Sequence, residues 1–263
     1  MAKRKRIITA GRLVTGVVYT VSSVRDTPQE RAAKTEISSA ARERANLRTS
    51  WQKLEVVLAA NFSTRDLHVV LTYDDEHLPP TRPEAVKCLK KWITQLRNYR
   101  KARGEDLRYV YVTEQLSAEG GRLHHHIIIN GTSRDYEAIR SLWVYGDDVN
   151  IEHLDDWAGY DALAQYLTKE ARNCGRIEVG ARNWTPSIGL KRPERQPETG
   201  IVPDNMTITA PPGAIILDRD EKRNGFGEYR YLKYLLPERR EERKKSRPPR
   251  TRQPNKPSYI FQA

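Results

Sequence analysis

The chain has 263 residues, with 46 Lys and Arg against 34 Asp and Glu, a formal charge of +12; hydrophobic residues make up 38% and charged residues 30%. That length allows one large domain, or a compact domain with an irregular extension, and the low apolar fraction implies a modest core with polar segments attached. The charge favours a polyanionic partner, nucleic acid before membrane, and two cysteines, Cys88 and Cys174, exclude a disulfide framework and a cysteine metal clip, which fits a reducing, cytoplasmic setting.

The start, MAKRKR followed by IITAGRLVTGVVYTV, is too short and too broken for a signal peptide, and no run approaches the roughly 18 apolar residues of a membrane helix. Residues 13–22, LVTGVVYTVS, are β-branched and predict a strand. From Thr27 to Phe62 the chain is rich in Ala, Glu and Arg and reads as one or two helices with a basic face. DLHVVLTYDD (66–75) predicts a strand that HLPP terminates. Residues 82–104 predict an amphipathic helix: Pro83 suits its first turn, Val86, Leu89, Trp92, Ile93 and Leu96 form one stripe, and Gly104 stops it.

LRYVYVTEQ (107–115) and GRLHHHIIIN (121–130) predict two strands joined by a short Gly-Gly turn, hence an antiparallel pair. SRDYEAIRSLW (133–143) opens with Ser133 as an expected N-cap and predicts a helix. DDVNIEHL (147–154) reads as a short strand. Residues 155–173 predict a helix with an acidic first turn and a basic last turn. From residue 66 the order is therefore strand, helix, strand, strand, helix, strand, helix. That order predicts an α+β fold, a ferredoxin-like or RRM-like antiparallel sheet with helices on one face. The expected divisions are 1–60 as an N-terminal strand and helical segment, 61–175 as the core, 176–238 as an irregular Pro-rich extension, and 239–263 as a basic, disordered tail. Within the extension, 227–237 suits a short docked helix or strand.

The histidines concentrate the chemistry. Three of the six in the chain are consecutive, His124, His125 and His126. Alternation along a strand turns His124 and His126 to one face and His125 to the other. Two imidazoles whose Cα atoms are about 6.5–7 Å apart can converge on one divalent ion. A third ligand is wanted; Glu114 is the first candidate, across the turn, with Gln115 and Glu119 as competitors. Two imidazoles and a carboxylate leave positions open for a substrate oxygen, so the site suits Lewis-acid work on a phosphate. On the next helix Tyr166 and Lys169 share a face. A tyrosine in mid-helix is ordinarily core. Beside an H-x-H strand and a +12 surface it reads as a nucleophile that attacks a phosphodiester, with Lys169 lowering the phenol pKa or steadying the developing charge.

Three stretches resemble a family, the HUH endonucleases, and within it the rolling-circle replication initiators of plasmids and small single-stranded DNA phages. HVVLTYDDEHLPP (68–80) looks like the family's first motif. GRLHHHIII (121–129) is similar to the phage-type G-R-P-H-Y-H pattern, with Leu123 for Pro and His125 for the aromatic. AQYLTKE (164–170) resembles the tyrosine motif Y-x-x-K. The resemblance spans residues 66 to 173 in the family's order. It implies a nickase dependent on Mg²⁺ or Mn²⁺, with His124 and His126 as ligands, Glu114 as the third, and Tyr166 as the nucleophile that leaves a 5′-phosphotyrosine and a free 3′-OH. Ala162 stands where two-tyrosine phage initiators carry another tyrosine, and Tyr160 is about 240° round the helix from Tyr166. The expectation is a single-tyrosine enzyme.

The expected substrate is single-stranded or hairpin origin DNA in a basic groove, with Arg97, Arg100, Arg103 and Arg122 as candidate contacts. Trp184 and the Tyr229, Tyr231 and Tyr234 group are expected to pack the extension onto the core rather than stack bases. No P-loop occurs, so unwinding would need a host helicase, and synthesis a host polymerase. Rival readings are a single-tyrosine transposase or relaxase, a non-catalytic nucleic-acid-binding module on an RRM-like sheet, and a zinc-dependent hydrolase without a covalent tyrosine.

Overall fold

A computed structural model describes residues 3–21, 39–115, 122–169, 183–196, 199–203, 205–224 and 227–238. Residues 27–38 of the expected first helix, Glu119, the last residues of the 155–173 helix, Cys174 and the tail from 239 lie outside the described residues. Among those described, the protein is α+β, with two antiparallel sheets and four helices. No helix is long and apolar enough to cross a membrane.

The elements expected from residue 66 onward are all present. They are β3 (Leu67–Thr72), α2 (Arg82–Lys101), β4 (Tyr109–Gln115), β5 (Leu123–Ile129), α3 (Tyr136–Ser141), β6 (Val149–His153) and α4 (Asp161–Leu167). With β7 (Thr185–Pro186) the strands form a sheet in the order β6-β3-β5-β4-β7. The start of α3 differs from expectation. Ser133 lies ahead of the helix at φ 63°, and Asp135 takes the N-cap position. Its carboxylate accepts hydrogen bonds from Thr132 Oγ1 and Arg100 Nε rather than capping the helix.

The sheet carries helices on both faces, not one. On the first face Leu67, Val69, Leu71, Tyr111, Ile127 and Ile129 pack against α2 (Leu89, Trp92, Ile93, Leu96) and against Ile139 and Trp143. On the second, Val110, Val112 and Ile128 meet α1 (Ser39–Asn61), through Leu54 and Leu58, and α4, through Ala164 and Leu167. The central strand β5 is therefore buried along its whole length. A strand covered on both sides has no polar face to show, which is why its apolar residues run on instead of alternating.

The N-terminal basic run is not a loose leader. Lys3–Ala10 is a strand, β1, paired with β2 (Leu13–Thr20) through a turn at Gly11. Gly11 has φ +56°, and a Cβ there would meet Ala59 O at 2.3 Å, so no side chain fits. The stretch expected to be irregular, 176–238, holds β8 (Glu194–Arg195), β9 (Thr199–Val202), β10 (Ile215–Asn224) and β11 (Gly227–Leu235). These join β1 and β2 in a second sheet, β10-β11-β2-β1-β8, with β9 also on β1. Helix α1 lies between the sheets. Leu54, Leu58 and Phe62 face the first sheet, and Val56, Ala59 and Ala60 meet Ala10, Leu13 and Leu235 of the second.

Candidate metal centre and nucleophile

The antiparallel register of β4 and β5 sets Glu114 directly opposite His124, and Val112 opposite His126. Even-numbered positions on both strands point to the α1–α4 face, so Glu114, His124 and His126 converge there. Glu114 Oε2 lies 3.1 Å from His124 Nε2 and 2.9 Å from His126 Nε2, and the two Nε2 atoms are 3.2 Å apart. All three residues are buried, and they form the cluster able to hold a metal ion among the described residues. Adjacent ligands of a cation bound at about 2.1 Å stand about 3.0 Å apart, so the spacing fits a divalent ion with open positions.

The outward nitrogens are also placed. For both Nε2 atoms to offer lone pairs inward, the protons must sit on Nδ1. His124 Nδ1 donates to Arg122 O at 3.2 Å, and His126 Nδ1 to His68 Nε2 at 3.1 Å. Burial pushes the His126 imidazole down against the hydrogen bond from Glu114 that raises it. Burial and then His126 push His68 down to about 4. Burial alone would raise Glu114, but hydrogen bonds from His124 and His126 and the Lys169 charge hold its carboxyl well below the usual range. Neutral imidazoles around a carboxylate are the protonation state a divalent cation requires.

His68 was missed in the sequence. It sits in β3, opposite Ile128 of β5, one strand away from the cluster. Its only signal was its place on the same face of the strand as Val70 and Thr72, and choosing a partner for it required the β3–β5 register. His125 faces away, as expected. It is fully buried on the α2 side, within 2.7 Å of the Tyr73 hydroxyl and 2.9 Å of Thr113 Oγ1. Burial, then the neighbouring histidines, push it down to about 3. Its role is to tie β5 to the end of β3.

Helix α4 brings the other two residues to the cluster. Lys169 Nζ is 3.3 Å from Glu114 Oε2 and 3.8 Å from the centre of the Tyr166 ring. The Tyr166 ring stands edge-on to His126, with centroids 5.2 Å apart, and at 44% it is well exposed. Tyr160, by contrast, is buried in the core at the start of α4.

The arginine candidates fare unevenly. Arg122 flanks the site, its guanidinium donating to Tyr73 O and pairing with Asp75. Arg100 is a correction: it is 0% exposed, paired with Asp135 at 2.7 Å, and donates to Asn130 Oδ1 at 2.9 Å, so it cannot line a groove. Four residues after Leu96, it falls on the buried stripe of α2, where only a paired cation is tolerated. Arg97 and Arg103 are exposed, but α2 covers the face opposite the His124–His126 cluster. Arg103 is folded back over the Tyr99 ring at 3.6 Å. Trp184 donates to Ser50 O and packs beside α1, as a contact between extension and core.

Residues 66–171 match the family model described as the replication-associated protein ORF2/gene II protein family. No match was found among curated proteins or among solved structures. The matched segment runs from the start of β3 past Lys169 and contains the whole cluster. By that match and by the buried Glu114, His124 and His126 within it, residues 66–171 are identified with these replication-associated proteins, a phage rolling-circle Rep family.

Proposed function

We propose that the protein initiates rolling-circle replication by nicking and rejoining one DNA strand through a tyrosine ester. The observation that carries the proposal is the meeting of α4 with the cluster, Tyr166 against His126 and Lys169 against Glu114. The strand order β6-β3-β5-β4 supports a split βαβ sheet of the HUH type beneath it. Glu114, His124 and His126 would hold Mg²⁺ or Mn²⁺. When bound, the cation supplies Lewis-acid polarisation of the scissile phosphate.

The residues of the chain do the rest. The Tyr166 oxygen loses its proton to solvent and attacks phosphorus; the phosphorus–O3′ bond breaks as the tyrosyl ester to the 5′-phosphate forms. The departing O3′ takes up a proton and becomes the primer terminus. Lys169, over the ring, stabilises the phenolate and the charge that grows on the phosphate. Attack by a 3′-OH on the ester reverses the step and rejoins the strand. With Ala162 one turn earlier, the helix offers a single nucleophile. The substrate is single-stranded or hairpin origin DNA, with helicase and polymerase drawn from a bacterial host.

The test uses end-labelled single-stranded oligonucleotides tiling the replicon, with Mn²⁺, run on a denaturing gel. The wild type should give a protein–DNA band that chelator abolishes and Tyr166→Phe never forms. An adduct with Tyr166→Phe would move the nucleophile elsewhere. No adduct from any oligonucleotide would favour a binding module.

A further inference from the structure

We propose that the outer face of α2 is a second DNA surface, one that takes the backbone of duplex DNA on the side of the sheet opposite the nicking site. It rests on the replication reading for the identity of the polyanion. Lys87, Lys90, Lys91, Arg97 and Lys101 are all exposed, and at 100° per residue they fall within about a third of the helix circumference. The buried residues Ala85, Leu89, Trp92, Ile93, Leu96 and Arg100 occupy the other side. From Ala85 to Gly104 there is no Asp or Glu. None of the five cations forms an ion pair with a described residue. An ordinary solvated helix face intersperses its charges, and four or five like charges along one stripe repel one another. Here the stripe is of one sign.

The stripe has the character of a backbone-binding surface. Its remaining exposed positions, Thr94 and Asn98, are small and polar, and no aromatic ring lies on it to stack an unpaired base. Lys87 and Lys101 are separated by about 21 Å along the axis, which exceeds the roughly 12 Å width of a major groove, so the two ends reach phosphates of both strands. The α2 core and the α4 core lie on opposite sides of one sheet, so a straight duplex cannot occupy both. The protein therefore holds flanking duplex on one face while the extruded strand is cut on the other.

The test measures binding of a labelled random-sequence duplex to the full chain by fluorescence anisotropy across a salt series, without metal. Lys87→Glu, Lys90→Glu, Lys91→Glu and Lys101→Glu are combined in one variant, and the same four changed to Gln in a second that cannot be faulted for helix repulsion. The charge reversal should weaken binding at least tenfold and make the salt dependence shallower by about 0.9 per lost phosphate contact. The Gln variant should fall between. Single-strand cleavage should stay within twofold of wild type, and excess duplex should not inhibit it. Unchanged duplex affinity and slope in both variants would overturn the proposal and leave the stripe to an acidic protein. Inhibition of cleavage by duplex would also overturn it. The binding arm needs neither metal nor Tyr166, so it reads out even if no nicking occurs.

Discussion

Within the cluster, each ligand is held by a partner that the chemistry does not consume. His124 leans on a backbone carbonyl, and His126 on His68, whose ring is stacked nearly parallel to it at 5.3 Å. An imidazole free to rotate would offer the wrong nitrogen half the time, so His68 is a positioning residue for His126. His68→Ala should weaken Mn²⁺ binding about 10- to 100-fold in calorimetry, with His68→Gln, which keeps an acceptor, retaining more. Equal affinity in wild type and His68→Ala would contradict that role. Of this site, His124, His126, Glu114, Tyr166 and Lys169 were all legible as sequence. Strand alternation and helical spacing are local, and Glu114 stood just across a short turn. His68 was not, because its role depends on which strand lies beside β5.

Helix α2 shows both what periodicity reveals and what it leaves open. The spacing that places Leu89, Trp92 and Leu96 in the core places Arg100 there too, so its burial could have been read from the same stripe. The side of the sheet that the helix covers could not, because an amphipathic pattern specifies an apolar face and no destination. Helix α4 depends on a contact still more remote in sequence. Lys233 of β11, 7% exposed, bonds Glu55 of α1 at 3.1 Å and Asp161 in the first turn of α4 at 3.2 Å. Burial opposes the Lys233 charge, but the two carboxylates raise its pKa above the ordinary lysine value. Lys233→Met should cost about 3–5 kcal/mol in urea unfolding, because Glu55 is then left buried and unpaired. Adding Glu55→Leu should restore much of the loss. A single variant as stable as wild type would show that this cluster does not join α1 and α4 to the second sheet.

At the scale of the molecule, the core from 66 to 169 was legible and the second sheet was not. Strand β2 was expected, but its partners β10 and β11 lie about two hundred residues further on. Strand β10 reads IILDRDEKRN; its charges follow one another without alternation, as suits an edge with little to bury. The Pro residues between 186 and 212 suggested irregularity, and they punctuate the connections rather than the long strands. The two sheets meet on α1 and α4, so the extension supports the helix that carries Tyr166 instead of trailing from the core. The central claim, that Tyr166 is the covalent nucleophile, is tested most directly by mass spectrometry of the trapped adduct. After nuclease and trypsin digestion, fragmentation should place a 5′-phosphate-linked nucleotide on Tyr166. A nucleotide on Tyr160 or on another residue would contradict it.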